Sequence, residues 1–98
     1  MFHIPTSKSM NLKFHGITIK SSISKLMEIL GEPSIYSVST KQTTISWIRE
    51  LDSADIFSIF AVKYMKEPKS DEIILWNIGG QNKQVTEMVK NELSKLLK

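Results

Sequence analysis

The stretch Ile17-Thr-Ile-Lys-Ser-Ser-Ile-Ser-Lys-Leu-Met-Glu-Ile-Leu-Gly-Glu-Pro-Ser34 constrains the fold more than any other part of the chain. It reads as a strand end, a serine cap, a short amphipathic helix and a hard stop. Ser21 or Ser22 can accept a bond from the unpaired amides of the first helical turn. Ile23, Leu26, Met27 and Leu30 then fall at helical spacing on one face, which predicts a helix over about 22–30. Gly31 suits the left-handed position just past a helix, and Pro33 prevents continuation.

Beyond Pro33 the spacing changes to alternation. Tyr36 and Val38 share one face of a strand, and Ile45 and Trp47 share a face of the next, with Lys41-Gln42 as the turn between them. The segment 55–65 lines up as a strand, apolar on both faces. Its Ile56, Ile59, Phe60 and Tyr64 also line up as a helix, but its aromatic and β-branched content favours the strand. Lys66–Asp71 is a turn around Pro68, and Ile73–Ile78 is a strand ended by Gly79-Gly80. Asn82 can cap a final helix with a buried stripe of Val85, Met88, Val89, Leu93, Leu96 and Leu97, and Lys95 and Lys98 complement its negative end. Before the first helix, Leu12, Phe14, Ile17 and Ile19 suggest extended chain with Gly16 as a bend or bulge.

The expected fold is therefore α+β, in the order β-α-β-β-β-β-α. It is one domain over residues 1–98, with a four- to five-stranded antiparallel sheet, two helices on one face and a loose segment over 1–10. The central strands read as apolar on both faces, through Phe57, Ile59, Trp76 and Ile74 or Ile78. Cover for the second face comes from the N-terminal segment or strong sheet curvature, or else from a partner or second copy.

Composition removes several classes of chemistry. There is no cysteine, hence no disulfide, thiol nucleophile or thiolate zinc site. His3 and His15 have no spacing that would put two ligands on one helix face, and no Gly-x-Ser-x-Gly elbow activates a serine. Gly79-Gly80-Gln-Asn82 lacks the Gly-Lys-Ser/Thr ending of a phosphate loop and reads as a strand-to-helix turn. No enzyme activity, metal or cofactor is expected. No apolar run approaches the roughly 20 residues of a membrane span, and the start has no basic-then-apolar signal pattern, so a cytoplasmic protein is expected.

The net charge of +3 is concentrated in residues 1–31, which hold four lysines and one glutamate; residues 32–98 hold nine basic and nine acidic groups. The chain has a single arginine, Arg49, which argues against a dedicated reader of nucleic acid. The acids cluster in two loops, Glu50, Asp52 and Asp55 in one and Glu67, Asp71 and Glu72 in the next. They serve solubility and protection of sheet edges, or one loop docks into a basic groove of a partner.

Leu30-Gly-Glu-Pro-Ser34 after a helix, followed by strands with Trp47, resembles small bacterial domains built from a helix and a curved antiparallel sheet. Over about residues 17–48 it resembles the lipoprotein group of the outer-membrane assembly protein SmpA/OmlA and the β-lactamase-inhibitor-like fold. It departs from the lipoproteins in having no signal peptide and no cysteine to lipidate. In size, lysine content, lack of cysteine and α+β layout it resembles the small cytoplasmic immunity proteins of polymorphic bacterial toxins, including those of contact-dependent growth inhibition. That second resemblance implies a non-enzymatic protein that neutralises a cognate toxin by direct binding. Glu50, Asp52, Asp55, Trp47 and Trp76 are the candidate partner-binding residues. A homodimeric structural or adaptor domain using the same sheet face is the second reading. A small nucleic-acid-binding protein using Lys13, Lys20 and Lys25 is the third.

Overall fold

A computed structural model describes residues 2–5, 12–38, 43–64 and 69–97. The elements are β1 (Lys13–Ser21), α1 (Ile23–Leu30), β2 (Ile35–Val38), β3 (Thr43–Glu50), β4 (Ile56–Tyr64), β5 (Ile74–Gly80) and α2 (Lys83–Leu96). They form the expected α+β order, and the segment expected as a strand over 55–65 is one from Ile56 to Tyr64. The sheet is five-stranded with spatial order β1-β5-β4-β3-β2, and every neighbouring pair is antiparallel. The expected turn at Lys41-Gln42, and Met65, Lys66, Glu67 and Pro68 of the later loop, lie outside the described residues.

Local chemistry sets the element ends. The Ser22 hydroxyl accepts from the Lys25 amide at 3.2 Å and the Asn82 side chain accepts from the Val85 amide at 2.9 Å, so both predicted caps are in place. The Ser24 amide, a further donor of the first turn of α1, is satisfied by the Ser70 carbonyl at 2.9 Å. Gly31 closes α1 with φ 83° and ψ −156°. That is the extended positive-φ region open essentially to glycine, rather than the left-handed helical region anticipated. Gly16, φ 85°, sits where the β1–β5 register shifts between Phe14 and Thr18, so it is the expected bulge.

Strands β1 and β2 lie at opposite edges, so the chain between them must cross the sheet. Four strand spacings span roughly 19 Å, and eight helical residues supply about 12 Å of it, with Gly31–Ser34 completing the passage. This places the C-terminal end of α1 over β3, while α2 lies over β1, β5 and β4. The register puts Ile45, Trp47 and Arg49 of β3 on the same side as Ala61, Ile59 and Phe57 of β4, Ile74, Trp76 and Ile78 of β5, and Ile19 of β1. Both helices cover that side, through Ile23, Leu26 and Leu30 of α1 and Val85, Val89 and Leu93 of α2.

Two expectations about burial are corrected. Phe57, Ile59, Trp76, Ile74 and Ile78 all share the helix-covered face, while the other face of the two central strands carries Ile56, Phe60 and Leu75, so both faces are apolar as expected but not through the residues anticipated. On the open face Ser46, Ser58 and Gly79 are small, and the Phe60 ring leans over Gly79, where an added Cβ would lie 2.5 Å from the Ser58 hydroxyl. Phe14 meets Phe60 edge-to-face at 6.4 Å. The open face is thus sheltered in part by its own aromatics. The N-terminal residues go elsewhere: Phe2 packs edge-to-face on Phe57 at 5.3 Å, on the helix side.

In α2 the expected stripe is too wide. Val85, Val89 and Leu93 are buried and Leu97 partly so, but Met88 and Leu96 are exposed. Thr86 joins the buried set instead, its hydroxyl donating to the Lys83 carbonyl at 2.6 Å.

Candidate functional site

The acidic loop between β3 and β4 is built from short-range hydrogen bonds. The Leu51 amide donates to the Asp55 carbonyl and the Ala54 amide to the Leu51 carbonyl, both at 2.8 Å, while the Ser53 hydroxyl donates to the Asp55 carboxylate at 2.8 Å. Leu51 is buried and anchors the loop in the core; Asp52, Ser53 and Ala54 are pushed outward. Ala54 has φ 73°, a conformation that costs a non-glycine residue roughly 1–3 kcal/mol. The fold therefore imposes the loop's shape against a local preference.

The N-terminal segment braces this loop. His3 and Glu50 form a two-bond antiparallel bridge, each amide donating to the other's carbonyl at 2.8 Å. His3 Nε2 also meets the Asp52 carboxylate at 2.5 Å. That contact holds the Asp52 carboxyl below the usual carboxylate range. A depressed folded-state value adds stability above the unfolded value of about 3.9, and the contribution is lost as pH falls through the folded value. A carboxyl-carbon NMR titration is expected to put the Asp52 midpoint below about 3.9 and to move it upward in His3→Ala; an identical midpoint in both proteins would remove His3 as the cause.

The loop overlooks the solvent side of α2. Leu51, Asp52, Ser53, Met88 and Glu92 line a depression of about 220 Å³. Next to it, Phe2, Glu28, Ile29, Glu92 and Leu96 line a groove of about 410 Å³ between the two helices. Glu92 lines both, so the two hollows adjoin along α2 and together make up a trough. The helices barely touch each other, and Phe2 stands between them. Met88, Glu92 and Leu96 recur every four residues and so form one stripe along α2.

The sequence-predicted residues divide sharply. Glu50 ends β3, and Asp52 and Asp55 lie in the loop that follows it. Trp47 and Trp76 do not join them: both are 0 % exposed and pack edge-to-face on each other at 5.3 Å beneath the helices. The Trp47 indole donates to the Gly31 carbonyl at 2.9 Å and that of Trp76 to the Ser21 carbonyl at 3.0 Å. Neither offers a surface to a partner. Sequence reasoning missed Phe2, Ile29, Glu92 and the exposure of Met88 and Leu96. One signal was present: at about 100° per residue Glu92 falls between Met88 and Leu96 on the helix circumference. A carboxylate in the middle of an apolar flank marks that flank as outward.

The lysines of the third reading are dispersed. Lys13 and Lys20 stand near opposite ends of β1, about 23 Å apart, and Lys25 pairs with Glu28 at 3.7 Å. Arg49 is buried, with only 4 % exposure, and is committed to three carbonyls and one hydroxyl: Nε donates to the Leu30 carbonyl at 2.8 Å, Nη1 to the Ile48 carbonyl at 2.8 Å and the Ser34 hydroxyl at 3.1 Å, and Nη2 to the Glu32 carbonyl at 2.5 Å. Its desolvation lowers its pKa from an unusually high starting point, and the guanidinium stays charged. It fastens the C-terminal end of α1, where carbonyls carry partial negative charge, to β3.

His15 donates from Nε2 to the Gly80 carbonyl at 3.1 Å and is half-buried, a structural role between β1 and β5. Gly79 and Gly80 are paired residues of β5, and a Cβ on Gly80 would meet Thr86 at 3.0 Å, so the glycine admits α2 to the sheet. Among the described residues no three His, Asp or Glu side chains converge as metal ligands. No helix among them is long and apolar enough to cross a membrane.

Compared with protein-family models, with curated proteins and with solved structures, the chain finds no match.

Proposed function

We propose that this chain is a non-enzymatic protein-binding module of the bacterial cytoplasm, an immunity protein that neutralises a cognate toxin by binding it directly. The observation that carries the reading is the braced acidic loop. Asp52 is held outward by His3, Asp55 by Ser53, and a non-glycine residue is kept at positive φ between them. A fixed set of carboxylates steers encounter with a basic surface and sets its register.

The experiment is co-expression with the protein encoded immediately upstream. Growth arrest by that protein alone, with growth and a stoichiometric complex restored by this chain, supports the reading; a neighbour whose toxicity is unaffected sinks it. Within such a complex Asp52→Lys with Asp55→Lys is expected to weaken binding by at least about tenfold at low salt. Lys13→Glu with Lys20→Glu is expected to leave it unchanged. The opposite pattern would move the interface to β1.

One observation favours the second reading, a homodimeric adaptor. Phe14, Ile35 and Leu75 are each about half exposed on or beside the open sheet face, and exposed apolar patches of this kind mark interfaces. A dimer by light scattering that Leu75→Asp abolishes would favour it.

A further inference from the structure

We infer that the trough between α1, α2 and the acidic loop receives an apolar anchor side chain from a lysine- or arginine-bearing segment of the partner. This rests on the reading of the chain as a protein-binding module and names the surface and the partner chemistry. Isolated exposed apolar residues are ordinary, but here the exposed Met88 and Leu96 of α2 flank the partly buried Phe2 and Ile29, which line the groove from the N-terminal segment and α1. The groove volume of about 410 Å³ lies toward the low end of the roughly 300–1,000 Å³ range of ligand pockets. It suits one or two inserted side chains rather than a whole helix.

The rim decides the charge of the visitor. Among the described residues the trough is lined by three carboxylates, Glu28, Asp52 and Glu92, and by no lysine or arginine, on a chain whose net charge is +3. Lys25 reaches Glu28 and His3 reaches Asp52 from outside the lining, whereas Glu92 has no ion pair among the described residues. Carboxylates around an apolar floor repel an anionic lipid headgroup and a nucleic-acid backbone alike, and attract a cationic segment that carries an apolar anchor. Met88 on the margin can adapt its shape to such an anchor.

The test uses the full chain, isotope-labelled, with two synthetic helical peptides as probes, one of leucine and lysine and one of leucine and glutamate. The leucine–lysine peptide is expected to give saturable NMR shifts centred on Phe2, Ile29, Glu92 and Leu96, and the leucine–glutamate peptide none. Glu92→Lys is expected to weaken the binding about tenfold, an effect that shrinks near 1 M salt. Leu96→Asp, a change at a position already 54 % exposed and so tolerated by the fold, is expected to abolish it. Shifts centred on Phe14 and Leu75, equal binding of both peptides, no saturable binding, or self-association through the trough each overturn the inference. Failure here is separable from failure of the toxin reading. If co-expression rescues growth and Glu92→Lys and Leu96→Asp rescue it equally well, the trough is wrong and the function stands; if the peptide binds as expected while no neighbour is neutralised, the reverse holds.

Discussion

Arg49→Ala is expected to destabilise the fold by about 3–5 kcal/mol, through the loss of its charge-assisted hydrogen bonds and the acceptors left unpaired. The side chain makes four hydrogen bonds to groups on α1, the loop after it and β3. Deleting it strands the Leu30 and Glu32 carbonyls at the end of α1 and leaves a void beneath them. Each hydrogen bond from a charged group contributes roughly 1.5–3 kcal/mol, and orphaned acceptors add to the loss. A domain of this size holds about 5–15 kcal/mol in total, so the variant is expected to be largely unfolded on warming. Arg49→Lys is expected to recover less than half of the loss, because an ammonium cannot present the planar fork that reaches two carbonyls of the α1 exit at once. Urea unfolding measures both. A result for Arg49→Ala within about 1 kcal/mol of the parent protein would mean that the α1 exit is held by something else.

Trp76→Ala is expected to cost a similar amount, about 3–5 kcal/mol. The side chain is fully buried, packs edge-to-face on Trp47, and donates to the Ser21 carbonyl where β1 passes into α1. Trp47 does the matching task at the other end of the helix through Gly31. The two indoles thus tie both ends of α1 to the sheet while touching each other between them. In a double-mutant cycle with Trp47→Leu and Trp76→Leu, which remove the rings, the aromatic pair is expected to show a coupling of about 0.5–1.5 kcal/mol. Additive losses would mean that the rings do not act together. The same burial predicts how these variants behave in binding: affinity falls only in proportion to the unfolded fraction. A fully folded Trp76→Ala with lost affinity would place the ring at the interface and contradict its position in the core.

The candidate site was legible only where it is local. Glu50, Asp52 and Asp55 sit within six residues, so the loop could be read from the chain; its brace could not, because His3 lies 49 positions from Asp52. The tryptophans show the converse error. As large aromatics on alternating strands they suit an interface or a core equally, and burial depends on which side the helices take.

By itself the sequence determined the element order, both helix caps, the bulge at Gly16 and the stop at Gly31-Glu32-Pro33. These rest on interactions within a few residues: a hydroxyl or amide side chain reaching the first-turn amides, a backbone angle open to glycine, a ring that cannot donate. The tertiary structure alone decided that β1 pairs with β5, that α1 crosses the sheet, and that Phe2 enters the groove beside Phe57. It also decided which apolar flank of α2 stays outside. Helical periodicity specifies an arc of apolar positions but not how much of it the sheet can cover. A 14-residue helix lying over three strands buries Val85, Val89 and Leu93, and leaves Met88, Glu92 and Leu96 facing solvent beyond the edge of its contact with the sheet.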